Sequence, residues 1–187
     1  MDPMVGAAVP ALAGWDNFFV IVGSSGGALV GLQFVVLTLV AERSGNTSRD
    51  TLNAFGTPTV VHLTGALIVS ALMSVPWRSL GAASVAVVLA GLAGVGYSII
   101  VIRRARRQST YAADREDWIW YILLPTVVYG VLTGAGLALG SRPSGALLTI
   151  GGCALGLLLL GVRNAWDTVT FVVTGGHQGS ATPTPGA

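Results

Sequence analysis

The chain has 187 residues, 52% of them hydrophobic and 10% charged, with a mean hydropathy of +0.73; soluble domains carry roughly 25% charged residues, so this balance excludes an ordinary water-soluble fold. All ten basic residues are arginine, and a net charge of +2 spread along the chain argues against a nucleic-acid-binding surface. The single cysteine, Cys153, has no second thiol to pair with and reads as a buried, inert side chain.

The opening stretch, "MDPMVGAAVPALAGWDNFF", holds acids but no Lys or Arg ahead of its apolar run, so it lacks the positive region of a secretory signal and is expected to stay in the mature chain. Five segments then approach the ~20 apolar residues that a helix needs to cross a hydrocarbon core of about 30 Å. They are residues 18–40, 57–75, 80–102, 118–139 and 145–162, and none contains Asp, Glu, Lys or Arg. The fold class expected is therefore all-α, an integral membrane bundle of five transmembrane helices.

The first span places Gly23, Gly27 and Gly31 four residues apart in "GSSGGALVG", with Gln33 beyond them. In lipid, helices associate by close packing, and small side chains let two backbones approach. The glycines therefore read as a seam, either within the bundle or between subunits. Span two carries His62, about five residues in. Span three repeats the seam as Ala82, Ala86, Ala90, Gly94 and Ser98. Span four carries Pro125, which removes a hydrogen-bond donor and predicts a kink, followed by Gly130 and Gly134. Span five carries Gly152 and Gly156. After it, "RNAWDTVTFVV" spaces Arg163 and Asp167 at i, i+4 around Asn164 and Trp166, and residues 163–174 are expected to form an interfacial helical extension. Residues 1–174 thus form one transmembrane domain. The Gly, Ser, Thr and Pro tail, 175–187, is expected to be disordered, with His177 in solvent.

Trp15, Trp77, Trp118, Trp120 and Trp166 all fall at span ends, as an aromatic belt requires. Arg43, Arg49, Arg103, Arg104, Arg106, Arg107 and Arg115 lie on one side of the five spans, and only Arg78 and Arg142 on the other. The positive-inside rule then places the amino terminus outside and the carboxyl terminus in the cytoplasm.

Intramembrane polar groups are the functional candidates, because an unpartnered one is expensive in lipid. His62 can hydrogen-bond across helices, bind a metal or relay a proton; with no second His, Cys or intramembrane carboxylate nearby, a packed core histidine is the preferred reading. Since spans two and five share a cytoplasmic end, His62 is expected to approach Asn164 or the Arg163 and Asp167 pair. Gln33 either lines a pathway or bonds to a neighbouring backbone. Ser24 and Ser25 lie at the opposite depth from His62 and Asp167, so no catalytic triad assembles, and no metal, haem or phosphate-binding signature is present.

"GALVGLQFVVLTLVAER", the prolines in "LMSVP" and "ILLPTVVYG", and "RNAWDTVTFVV" together resemble a family of small bacterial membrane proteins, some labelled modulators of the FtsH membrane protease. The chain departs from that pattern at Asp167 and His62. The resemblance implies a membrane partner role and supplies no catalytic residues. Arginine without lysine, with abundant Ala, Gly and Val, suggests a GC-rich genome. The expected function is that of a non-enzymatic protein of the bacterial inner membrane, without cofactor. It would act by helix packing with itself or another membrane protein, in contact with membrane lipid, as a regulator or scaffold. The alternative is a small homo-oligomeric channel or transporter with Gln33 and His62 on the path.

Overall fold

The computed structural model describes residues 10–43, 57–107 and 118–175, and within them the chain is helix joined by turns, with no strand. A single helical turn, α1 (Pro10–Ala13), leads into α2 (Asp16–Arg43); α3 (Thr57–Met73), α4 (Leu80–Arg107), α5 (Leu124–Ala138) and α6 (Pro143–Gly175) follow, and a π-helical turn, Ile119–Leu123, opens α5. Four segments are long and apolar enough to cross a membrane: Asp16–Leu39, Leu80–Arg103, Ile119–Ala138 and Pro143–Asp167. The shorter apolar α3 has 17 residues. Large apolar side chains such as Ile21, Leu89, Leu137 and Leu148 point outward, an arrangement suited to a bundle whose solvent is lipid.

The element ends depart from expectation where local chemistry decides them. α3 stops at Met73 rather than at residue 75, because Pro76 disfavours helical geometry at Val75. The carbonyls left over are filled locally: Ser74 Oγ donates to Ser70 O at 2.9 Å and Trp77 Nε1 to Leu72 O at 2.7 Å. At its other end, Pro58 sits in the first turn, where a missing N–H costs nothing. Pro125 is likewise absorbed at the start of α5, and Thr126 Oγ1 donates to Ile122 O at 2.6 Å across the junction with the π turn. α4 continues to Arg107, and α6 is one helix of 33 residues, in which residues 163–174 run on from the fifth segment without a break. Gly175 closes that helix, and the rest of the expected disordered tail, 176–187, lies outside the described residues, as do Arg49 and Arg115.

The helices sort into two packed groups. α3 lies between α2 and α6, and α4 packs along α5, which in turn rests on α6. α3 and α4 are joined by only residues 74–79 yet pack on each other much less than either packs on its main partner. They diverge from that connection and leave a cleft between the groups.

Glycines make the close approaches possible. A Cβ on Gly26 would lie 3.1 Å from Leu63 O, and one on Gly23 would lie 2.9 Å from Ser70 Cβ. On the other flank of α3, Gly161 faces Leu63. In the second group, Gly91 faces Thr133, Gly94 faces the Tyr129 ring, and a Cβ on Gly136 would lie 3.0 Å from Val88 N. Ser84 Oγ donates to Gly136 O at 2.7 Å, tying α4 to α5 by a direct interhelical bond.

Within the chain, the expected seams divide. Gly94 packs against a neighbouring helix, and Gly27 and Gly156 make ordinary contact, with a Cβ 3.9 Å from Leu67 Cδ1 and from Val128 Cγ2 respectively. Gly31, Gly130, Gly134 and Gly152 do not face another helix: a Cβ there meets nothing within 4 Å among the described residues. Ala86 and Ala90 are half-buried, while Ala82 is exposed. The close intrachain contacts on α2 come from Gly23, which is on the expected stripe, and Gly26, and those on α6 from Gly151 and Gly161, which are beside it.

Candidate functional site

Tyr129 of α5 is the side chain around which the two helix groups meet. Its ring lies over Gly94 of α4, and its hydroxyl reaches α3, where a Cβ on Gly65 would sit 2.7 Å from it. Neither glycine position has room for a larger residue, so the ring's place depends on both. Beyond the hydroxyl is His62, whose Nδ1 stands 3.4 Å from Tyr129 Oη. This is a long hydrogen bond, and its direction follows the imidazole tautomer. The His62 ring is 1% exposed, and its Nε2 has no hydrogen-bond partner among the described residues. His62 therefore pairs with Tyr129 and not with the Arg163 and Asp167 pair expected from the sequence.

Arg163 and Asp167 do meet each other, with Nε donating to the carboxylate at 3.2 and 3.3 Å. The same guanidinium lies over the Trp120 ring, 4.6 Å from its centroid, so α6 is linked to the π-helical turn by a cation–π contact. Asn164, one residue on, is fully buried. Leu63 meets Gly161 and Gly65 meets Leu157, so α3 and α6 run antiparallel, which places Asn164 near the level of the equally buried Thr59. Gln33, 4% exposed, points inward from α2 with its Nε2 unpartnered among the described residues. Ser70 Oγ shares that condition.

On the other side of Tyr129 lies the cleft between α3 and α4, a cavity of about 360 Å³. Its walls are mostly apolar, with Val60, Val61 and Ile68 from α3 facing Ala90 and Ala93 from α4. Thr64, Tyr97 and Tyr129 are the polar residues on its surface. An apolar chamber with a few hydroxyls can accept a hydrocarbon or the flank of an apolar ligand. It offers no pair of acid and base groups for catalysis. Among the described residues, no group of three or more His, Cys, Asp or Glu side chains could hold a metal ion, and Cys153 is buried in α6.

The sequence pattern marks neither Tyr129 nor the role of Trp120 at this site. A tyrosine in the interior of an apolar span is the signal for the first, because a hydroxyl there needs a partner. By sequence Trp120 belongs to the aromatic belt, and only the fold brings Arg163 over it. No family model, curated protein or solved structure matches the chain.

Proposed function

We propose that this chain is a five-span protein of the bacterial inner membrane, amino terminus outside, that acts without catalysis by docking against another membrane helix, either of a second copy or of a different protein. The observation that carries this is the outward face of α5. Gly130 and Gly134 are spaced four apart, both are exposed, and among the described residues no atom of another helix lies within 4 Å of a Cβ on either. Exposed Val127 and Val131 flank them. This is the small-residue pattern that lets helices approach in lipid, displayed where its own bundle does not use it. A glycine on such a face weakens its helix by about 1 kcal/mol relative to alanine, a cost that a docked helix would offset. The resemblance noted in the sequence makes a membrane protease such as FtsH one candidate partner and a regulator or scaffold the corresponding role.

Native mass spectrometry of the protein extracted with its surrounding lipid tests the reading. The wild type is expected as a complex, with itself or with another polypeptide, and Gly130→Leu together with Gly134→Leu is expected to release a folded monomer. A wild type that is monomeric and alone, or a complex indifferent to both substitutions, overturns it.

A channel or transporter is the second reading, favoured by the inward-facing polar atoms Gln33 Nε2 and His62 Nε2, which water on a path through the bundle would satisfy. Solute or ion flux in liposomes that changes with Gln33→Leu or His62→Leu would put this reading first.

A further inference from the structure

We propose that Gln33 and His62 share an internal water site, enclosed where α2, α3 and α6 meet and ending within the bundle. Three observations carry it, none of them involving the docking face on α5.

The first is unmet hydrogen bonding on two separate helices. Gln33 and His62 are 4% and 1% exposed, and the Nε2 atom of each has no hydrogen-bond partner among the described residues. The contact with Tyr129 cannot satisfy the imidazole. A neutral ring has one N–H and one lone-pair nitrogen, so whichever role Nδ1 takes toward Tyr129 Oη, Nε2 takes the other and needs a partner of its own. A polar atom left bare in apolar surroundings is costly. Water accepts from an N–H and donates to a lone pair, so it fits Nε2 in either tautomer and the Gln33 amide in either orientation.

The second is position. Gly26 lies against both Leu63 and Leu67 of the antiparallel α3. Gln33 is seven residues, two turns, further along the same face of α2, which brings it level with the first turn of α3 at the buried Thr59, one turn from His62. Asn164, also fully buried, reaches that level from α6. Four uncharged polar side chains thus gather within about one helical turn, ~5 Å, of one another in depth. With no charged group among them, the layer suits a neutral guest.

The third is enclosure. Toward the other end of the three-helix group, the interior is filled by Phe19, Val22, Ala66, Val69, Ile150 and Leu157, all buried, with Ser70 the one buried polar side chain of α3 among them. α2 comes close to α6 there, a Cβ on Gly151 lying 3.0 Å from Trp15 Cζ3. The tight apolar end is therefore away from Gln33, and waters held at Gln33 and His62 stop against it instead of forming a path through the bundle.

The test is hydroxyl-radical footprinting of the full-length protein in lipid nanodiscs, with radicals made by pulsed X-ray radiolysis and oxidised residues located by mass spectrometry. A bound water yields radicals in place and oxidises the side chain it touches, even where bulk solvent does not reach. Met73 is the internal control: it lies on the same helix, is 2% exposed among apolar neighbours, and carries a thioether more reactive than an imidazole. His62 is expected to be oxidised while Met73 stays unmodified, and Gln33→Leu, which removes one of the two anchors, is expected to lose most of the oxidation at His62. His62 left unmodified in the wild type, or oxidised no faster than Met73, overturns the proposal, as does oxidation of His62 that is unchanged in a folded Gln33→Leu. If that variant fails to fold, the wild-type comparison of His62 with Met73 decides alone.

Discussion

Tyr129 concentrates most of what is specific about this molecule into one side chain. Its ring occupies the space that a Cβ on Gly94 would need, and a large planar ring held on three sides cannot give way as a flexible side chain would. Gly94→Ala should therefore destabilise the fold by about 1–3 kcal/mol through overpacking. Gly130→Ala, with open space in the same protein, should instead stabilise its helix by up to about 1 kcal/mol. Reversible unfolding in mixed micelles distinguishes these outcomes, and equal costs would mean that Tyr129 is not where it is described. The contact with His62 is weaker. At 3.4 Å it is longer than a well-formed bond, so a double-mutant cycle of His62→Ala and Tyr129→Phe should give a coupling of about 0.6 kcal/mol or less. His62→Ala and Asp167→Ala should combine additively within about 0.5 kcal/mol, because their hydrogen-bond partners are different residues. That reverses the expectation drawn from the sequence. The sequence shows that His62 is alone among apolar neighbours and needs a partner; it cannot rank a tyrosine on span four above an asparagine and an ion pair on span five, since all three lie at reachable depth.

At the scale of the helix, the glycine seams show what periodicity in an apolar sequence can and cannot establish. The chain has 26 glycines, so stripes at every fourth residue arise on several faces of each span. In a water-soluble helix, polar residues would mark the outer face, but here both lipid and core are apolar and the usual contrast vanishes. A better marker lies in the buried amides and hydroxyls. On α2, Gly26 stands seven residues before the buried Gln33 and faces α3, whereas Gly31 is off that register and faces outward. On α4, Gly91 and Gly94 share a face with the buried Ser98; on α6, Gly161 precedes Asn164 by three. Thr126 and Thr133 are poor markers, because each hydroxyl is satisfied by a carbonyl four residues back on its own helix. The rule predicts that Gly26→Val, whose first side-chain atom meets the Leu63 carbonyl oxygen at 3.1 Å, costs about 1–3 kcal/mol, since backbone cannot move aside. Gly31→Val should be nearly silent in the same unfolding assay, and a reversed ranking would defeat the rule.

For the whole molecule, the apolar helices and the tryptophans at their ends were legible from composition and hydropathy, because those features depend on the bilayer rather than on neighbours. The grouping of helices was not, since it depends on which small residues meet. α3 shows the consequence. Its 17 residues reach about 26 Å, short of the segments long enough to cross a membrane, yet it has bundle neighbours on three sides. Gly23 faces Ser70 while Gly26 faces Leu63, and Gly65 meets Leu157 while Leu63 meets Gly161, so α3 runs antiparallel to both α2 and α6. A crossing by α3 would need its small deficit in length to be met by local thinning of the bilayer. Labelling settles the matter in a Cys153→Ala background, with single cysteines at Asn17, Ser79, Ser141 and Trp166 and a reagent that cannot enter intact cells. If α3 crosses, Asn17, Ser79 and Ser141 lie on one side and label together, and Trp166 labels only after permeabilisation. If α3 turns back instead, the polypeptide between α2 and α4 makes no net crossing. Ser79 and Ser141 then fall opposite Asn17, a pattern incompatible with five spans.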